Sequence, residues 1–243
     1  MEEVKKQKLI LFPIIMGACL IISATIGAVA YYNKDASNSL SVTGSAKQDV
    51  ISDSAKFTGD FSRTVKISNL KSGYNQMSGD LAIVKAFLKE QGVDDTKVTI
   101  STVSMYENYN YNQNYQTEKE YTLKQQVEVS SSDVNQITSL AKQTQNLINK
   151  GVIFSNNPVE YYYTGLPELR VSLLSAAITD AKARAEKMAE ATGKKVGDLK
   201  SAASGVVQVL SANSLDVSDY GTYDTSKINK TVTVTVRAAF GLK

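Results

Sequence analysis

Few residues of this chain have the type and spacing that catalysis or metal binding requires. Asp94 and Asp95 are adjacent carboxylates, but a calcium site takes about 6 to 8 oxygen ligands and the neighbouring residues supply no others. We therefore interpret the pair as a solvated helix exit. The many serines and lysines allow chance Ser-Lys pairs, yet no spacing singles one out as a nucleophile with its base. A carboxylate hydrolase would need two acids held close together with separated pKa values, and no such pair stands out.

Histidine and cysteine, which are common in catalytic and metal sites, are absent or nearly absent from this sequence. The sequence contains no histidine, which removes the commonest general base, the Ser-His and Cys-His pairs and most zinc sites. The single cysteine, Cys19, lies in an apolar segment, so the rest of the chain has no disulfide or thiol chemistry. We expect no catalytic residues, no cofactor and no metal, and therefore a protein that is not an enzyme. The net charge is only +3 and there is no basic stripe, so we expect no nucleic acid partner.

The most distinctive polar segment is rich in tyrosine. Tyr106, Tyr109, Tyr111 and Tyr115 are interspersed with Asn, Gln and Glu. Tyrosine offers a large contact area and a polar handle, so this segment is a candidate contact loop for a neighbouring subunit or a cell-wall glycan. The alternative interpretation is a solvated loop without a partner. In a second tyrosine cluster, Tyr162 is either an exposed ring of a strand or a partner contact, because alternate side chains of a strand lie on opposite faces.

An uncharged apolar segment near the N-terminus predicts the location of the protein. Leu9 to Ala30 is long enough to cross a bilayer about 30 Å thick, and the lysines before it favour a cytoplasmic N-terminus. We expect a single-pass membrane protein with residues 1–8 in the cytoplasm and an extracytoplasmic C-terminal part. In one alternative the segment is a signal peptide cleaved after Ala30, which would make the protein secreted. In another, the chain is a lipoprotein acylated on Cys19.

The rest of the chain is expected to hold a polar tether and a folded part. Residues 9–30 are the anchor, residues 31–40 the tether and residues 41–243 the exported domain, which is long enough for one large domain or two small ones. Period-two and period-3.6 patterns indicate alternating strands and helices. The strands are expected in the segments Phe57–Ile67, Val98–Met105, Tyr121–Val129, Val152–Phe154, Val159–Tyr163, Gly205–Leu210 and Thr231–Gly241. The helices are expected at Met77–Gln91, from Ser132 or Asp133 to Gly151, and at Pro167–Thr192.

This order predicts an α+β fold with a mostly antiparallel sheet, helices packed on it, and one transmembrane helix before it. A ferredoxin-like pairing is expected for Ser41 to Tyr163, with the second and third strands forming an antiparallel hairpin. In the first helix, Ser78 is expected as the N-cap and Gly92 as the residue after the C-terminus. In the second helix, Ile148 is expected on the buried stripe.

The third helix carries a ridge of small residues. Ala177, Ala181 and Ala185 follow one another at four-residue spacing, so they lie on one face of the helix. Such a ridge lets another element approach closely. We interpret it as helix-on-sheet packing, with a contact between subunits as the alternative.

Several segments together resemble the SIMPL-domain family. They are the opening Ser41-Val42-Thr43-Gly44, the segment Lys150 to Asn157 and above all Ala176 to Leu199, with its regularly spaced alanines, its Asp180 and a following glycine. The resemblance covers about Ser41 to Leu242, although Ala46 stands where relatives usually have the second glycine of a G-x-G pair. It implies an exported domain that forms oligomers. Some members resemble ring- or channel-shaped assemblies and others are linked to oxidative stress tolerance, and the family offers no catalytic residues to carry over.

We therefore expect a membrane-anchored, extracytoplasmic structural or interaction protein that self-assembles through a SIMPL-like domain. Its role would lie in the cell envelope or in oxidative stress tolerance. The expected partners are copies of itself, the membrane and a component of the cell wall or envelope. The alternative is a module that binds envelope glycan or another ligand through the tyrosine-rich hairpin loop.

Overall fold

The computed structural model describes residues 16–31, 39–108, 118–212, 214 and 220–243. Residues 16–31 form helix α1, whose residues 18–31 are all exposed. Among the described residues, no helix is both long and apolar enough to cross a membrane. The first part of the predicted anchor, residues 9–15, lies outside the described residues, as do the N-terminal tip and residues 32–38 of the tether.

Ten strands and four further α-helices follow α1 in the described residues. The strands are β1 (Ser39–Ile51), β2 (Ser54–Lys66), β3 (Val98–Ile100), β4 (Ser104–Asn108), β5 (Glu120–Ser131), β6 (Phe154–Asn156), β7 (Glu160–Tyr162), β8 (Val196–Ser211), β9 (Thr222–Tyr223) and β10 (Asn229–Leu242). The helices are α2 (Leu70–Glu90), α3 (Val134–Gln143), α4 (Gln145–Asn149) and α5 (Leu166–Glu190). The α+β class expected from the sequence is therefore confirmed.

The chain divides into two compact units, which are made of interleaved segments. The first unit comprises Met1–Ala46, Ser172–Gly205 and Val234–Lys243, and the second comprises Lys47–Val171 and Val206–Thr233. One sheet has the strand order β1-β10-β8-β9. The other sheet, which belongs to the second unit, has the order β3-β5-β2-β6, with β4 also paired to β5 and β7 to β2.

The sheet of the second unit has the strand order of a ferredoxin-like fold. Its pairs are antiparallel throughout, and the elements β2-α2-β3-β5-α3-β6 follow the β-α-β-β-α-β pattern. The predicted hairpin is confirmed, because β4 pairs with β5 in the register Tyr106 to Thr122. One boundary of the prediction is wrong: the pattern begins with β2 and not at Ser41, because β1 pairs with β10 in the other sheet.

The core of the second unit is formed by the inner faces of β2 and β5 with α2 and α3. Its fully buried members include Phe57, Phe61, Leu123, Val127, Met77, Phe87, Ile137 and Leu140. Burying side chains of this size contributes about 1.5 to 3 kcal/mol each to folding. The apolar positions of β2 and β5 therefore form the buried faces of these strands, as the sequence predicted.

Helix α2 differs from its predicted form at its start. It begins at Leu70, so Ser78 is an interior residue whose hydroxyl donates a hydrogen bond to the carbonyl of Tyr74 at 3.1 Å. The early start follows from packing: Gly73 is buried close to the side chains of Val65 and Leu123, where a larger residue would not fit. Gly92 has a φ of +72° just beyond the C-terminus, as predicted.

The second predicted helix is interrupted. Asp133 caps α3 by accepting a hydrogen bond from the backbone N–H of Gln136 at 2.9 Å, and Gly151 has a φ of +84°, as the end signals predicted. The helix breaks at Thr144 and resumes as α4. This break shifts the phase of the last turn, so Ile148 is 57% exposed and the prediction that it is buried is wrong.

In the first unit, α5 packs on its own sheet through its alanine ridge. Ala181 and Ala185 share a buried cluster with Val42, Ala238 and Phe240. The even-numbered residues of β10 from Val232 to Phe240 are buried as the alternation predicted. Strand β8 is much longer than the predicted Gly205–Leu210, because its first half consists of exposed residues that show no apolar alternation and are held by pairing with β10.

Candidate interaction site

Of the four tyrosines of the tyrosine-rich segment, Tyr106 lies within the described residues, on the exposed strand β4. Its side chain is 57% exposed and that of its neighbour Met105 is 46% exposed. Both lie on β4, which pairs with β5 and, in the described chain, with no other strand. Tyr109, Tyr111 and Tyr115 lie outside the described residues.

Polar contacts join the two strands below this segment. The carboxylate of Glu107 lies 2.9 Å from the ammonium group of Lys119 and accepts a hydrogen bond from the hydroxyl of Tyr121 at 3.4 Å. The hydroxyl of Thr122 donates to the amide oxygen of Asn108 at 3.0 Å. The base of the hairpin is therefore tied together by polar contacts while Met105 and Tyr106 remain accessible.

Tyr162 is half-buried in a polar network of the second unit. Its hydroxyl donates a hydrogen bond to Glu160 at 2.9 Å, and its ring lies against that of Tyr223 with centroids 5.9 Å apart. Lys56 lies 2.7 Å from Glu160, and this contact lowers the pKa of the Glu160 carboxyl. Burial raises the pKa of the Tyr162 hydroxyl. The structure thus gives this ring partners within its own unit rather than leaving it freely exposed.

The alanine ridge lies in the interior of the first unit. Ala177, Ala181 and Ala185 have no exposed surface. This burial agrees with the interpretation of the ridge as helix-on-sheet packing. Gly44 lies directly against the ridge: a Cβ atom at this position would collide with the carbonyl oxygen of Ala177. The absence of a side chain at Gly44 therefore permits the close approach of β1 and α5.

Asp180 links the same two elements by polar contacts. Its carboxylate accepts a hydrogen bond from the backbone N–H of Ser45 at 2.8 Å and lies 2.8 Å from Nε of Arg184. The Ser45 hydrogen bond, followed by the Arg184 contact, lowers the pKa of this carboxyl. Gly44, Asp180 and the alanines thus form one packing arrangement in the first unit.

A buried lysine is the feature that sequence reasoning missed. Lys230 on β10 has no exposed surface, its ammonium group donates to the backbone carbonyl of Asp224, and it lies 5.5 Å from the ring centroid of Tyr223. Burial lowers the pKa of Lys230. A lysine with a lowered pKa can act as a nucleophile, but this enclosed ammonium group has no access to a substrate, so we assign it a structural role. Lys230 lies on the same even-numbered face of β10 as Val232, but it precedes the predicted strand Thr231–Gly241 and lysine is almost never fully buried, so its burial was not predicted.

The carboxyl of Asp224 organises the turn beside Lys230. Hydrogen bonds from Ser226, first from its backbone N–H, lower the pKa of Asp224 to about 2. A further hydrogen bond comes from the backbone N–H of Ser211 at 3.2 Å. Over the described part of the chain, no group of three or more His, Cys, Asp or Glu side chains could hold a metal ion.

One edge of the sheet β1-β10-β8-β9 is accessible in the first unit. Residues 198–205 of β8, which belong to this unit, are all exposed. One side of β8 faces β10, while on the other side the described chain provides β9, which pairs at Gln208 and Val209. Within the described residues, the part of β8 before Gln208 therefore has a backbone edge without a neighbouring strand, and Leu199 on it is 47% exposed.

Comparison with known proteins identifies a family for this chain. No curated protein matches the chain. A family model described as "SIMPL: Protein of unknown function (DUF541)" matches residues 40–240, a range that includes the Gly44–Asp180 arrangement, the hairpin β4–β5 and the exposed edge of β8. The chain therefore belongs to the SIMPL family, as its sequence motifs indicated.

Proposed function

We propose that this protein is a membrane-anchored, extracytoplasmic structural or interaction protein that self-assembles through its SIMPL domain. The observation that carries the proposal is the exposed backbone edge of β8 in the first unit. Unpaired N–H and C=O groups along an edge form a template for pairing with another chain. A role in the envelope or in oxidative stress tolerance fits this assignment, as the family resemblance implies.

The apolar residues of α1 support the anchor. Leu20, Ile21, Ile22 and Ile26 are exposed on this helix, and about 25 cal/mol is gained for each Å² of apolar surface removed from water. Together with the apolar residues from Leu9 onwards, they form a continuous segment that a bilayer would cover. The lysines before it favour an orientation with the folded part outside the cytoplasm.

Sedimentation of the full chain, extracted from membranes in a mild detergent, tests self-assembly. We expect an oligomer at micromolar protein concentration, and a strict monomer would reject the assignment. A protease added to intact cells tests the topology. It should digest the folded part as readily as a known surface protein, whereas survival of a domain that the protease digests after purification would place that domain inside the cell.

A second candidate function is binding of envelope glycan by the tyrosine-rich hairpin. It is favoured by the exposed ring of Tyr106 beside Met105 at the base of the hairpin, since tyrosine combines an apolar ring with a polar tip. Replacing Tyr109 and Tyr111 with serine should abolish retention on isolated cell walls without changing the thermal stability. Unaltered retention would reject this candidate.

A further inference from the structure

We propose that β8 pairs with β8 of a second copy in antiparallel orientation, with the two Leu199 residues facing each other on a two-fold axis. This inference rests on the proposed self-assembly and names the surface and the register that it uses. It concerns residues 196–202, all of which belong to the first unit.

The direction of the backbone groups allows this pairing. Lys195 and Lys243 exchange two backbone hydrogen bonds, at 2.9 and 2.8 Å, so β8 and β10 are antiparallel here and the backbone groups of Lys195 point to β10. Alternate residues of a strand direct their N–H and C=O groups to opposite sides. In residues 196–202, every second residue therefore presents its N–H and C=O groups to the open side of β8, where a second strand can bond to them.

The charges select one register from those that the backbone permits. Asp198 and Lys200 flank Leu199, and the segment between Val196 and Ala202 carries no other charge. Antiparallel pairing centred on Leu199 places Asp198 of each copy opposite Lys200 of the other, which gives two attractive cross-strand pairs. Centring the pairing on Lys200 would place two lysines opposite each other. The edge is therefore complementary to itself in the register centred on Leu199.

Side-chain size and exposure also favour a second copy of β8 as the partner strand. Leu199 is 47% exposed. Directly opposed residues of an antiparallel pair have Cα atoms about 4.5 to 5.5 Å apart, so the two Leu199 residues would lie in contact. Gly197, Ser201 and Ala202 have no bulky side chain to obstruct a second strand. A contact of this size is small for a stable complex, so we expect association in the micromolar range.

Exchange of the two charges tests the pairing. Asp198→Lys alone would place lysines opposite each other at two positions, so the dimer should weaken by about tenfold or more. Asp198→Lys combined with Lys200→Asp restores complementarity and should restore association to within about threefold of wild type. Asp95→Lys changes the same charge at an exposed position of the second unit and should leave association unchanged. All four proteins are measured as the full chain in detergent by sedimentation, with circular dichroism to confirm folding.

Disulfide cross-linking tests the register. In a chain with Cys19→Ser, Leu199→Cys should form a disulfide-linked dimer when copper phenanthroline is added. Ser201→Cys should not, because two copies of residue 201 would be about 13 Å apart along the strands, and a disulfide requires Cα atoms within about 7 Å. Cross-linking of Ser201→Cys instead of Leu199→Cys would overturn the register.

The two experiments separate this inference from the function on which it rests. If wild-type protein is monomeric, both the self-assembly and the β8 contact are rejected. If wild-type protein associates but neither cysteine cross-links and Asp198→Lys has no effect, self-assembly stands and the β8 contact is rejected.

Discussion

Arg63 and Asp80 form a bidentate ion pair in the second unit. Nε and Nη2 of Arg63 donate to Oδ2 and Oδ1 of Asp80, both at 2.7 Å, and Nη2 also donates to the carbonyl of Gly151 at 2.9 Å. The Asp80 side chain is only 5% exposed. Arg63 breaks the apolar alternation of β2 because its guanidinium group is needed as the partner of a buried carboxylate on α2. The hydrogen bond that the guanidinium group of Arg63 donates to Asp80 raises the pKa of Arg63.

Removing the charge of Asp80 should therefore destabilise the protein. Asp80→Asn leaves the guanidinium group of Arg63 half-buried and without its anionic partner, so we expect the free energy of unfolding to fall by about 2 kcal/mol. Urea denaturation measures this. Glu90→Gln on the same helix removes an exposed ion pair with Lys150 and should cost less than about 0.5 kcal/mol. Equal effects of the two substitutions would contradict the special role of the buried pair.

Enlarging Ala181 should disturb the packing of α5. Ala181→Leu inserts three carbon atoms at a site with no exposed surface, which costs about 1 to 3 kcal/mol. Ala183 lies on the exposed side of the same helix, so Ala183→Leu is the matched control and should change the stability by less than about 0.5 kcal/mol. Thermal unfolding of both variants measures the difference. An unchanged melting temperature for Ala181→Leu would show that the ridge tolerates a larger side chain.

Adding one methyl group at Gly44 should have a similar effect from the opposite side of the contact. Gly44→Ala places a Cβ atom against backbone atoms of Ala177 and Ala181, so β1 or α5 must move, at a cost of about 2 kcal/mol or more. Gly79→Ala is the control, because the space around Gly79 on α2 is open and alanine favours a helix by about 1 kcal/mol. The two substitutions should thus change the unfolding free energy in opposite directions.

Acid should weaken the turn that holds Lys230. The pKa of Asp224 is about 2 in the folded protein against an ordinary value of 3.8. Its carboxylate therefore contributes stability that is fully present above about pH 4 and is lost as the pH falls from about 4 to 2. For this half-buried group we expect a contribution on the order of 1 to 2 kcal/mol.

Urea titrations of Asp224→Asn at neutral and acidic pH test this contribution. The variant should be less stable than wild type at about pH 7 and should approach it at about pH 2, because the wild-type carboxyl is then protonated. Glu186→Gln, which removes an exposed carboxylate of α5, serves as the control and should follow wild type. A pH-independent difference between Asp224→Asn and wild type would attribute its effect to packing and not to charge.

Elements with strong apolar periodicity could be predicted, because the apolar face of each element packs against a core. The alternation of β10, the hairpin of β4 and β5 and the length of α5 were all predictable. The ends of the elements were less predictable. Helix α2 begins before Met77 because Gly73 packs against Val65 and against Leu123 of β5, and Leu123 is distant in sequence. The interruption of the second helix at Thr144 likewise has no local stop signal such as glycine or proline.

Composition and residue order by themselves determined the family, the α+β class, the absence of histidine and disulfide chemistry and the apolar N-terminal segment. Tertiary structure alone decided that Arg63 meets Asp80, that Lys230 is enclosed beside Asp224, and that the residues around Leu199 form an exposed edge. The reason is physical. Apolar periodicity reports which face of a single element is buried, whereas ion pairs, enclosed charges and strand edges depend on which distant segments lie next to one another.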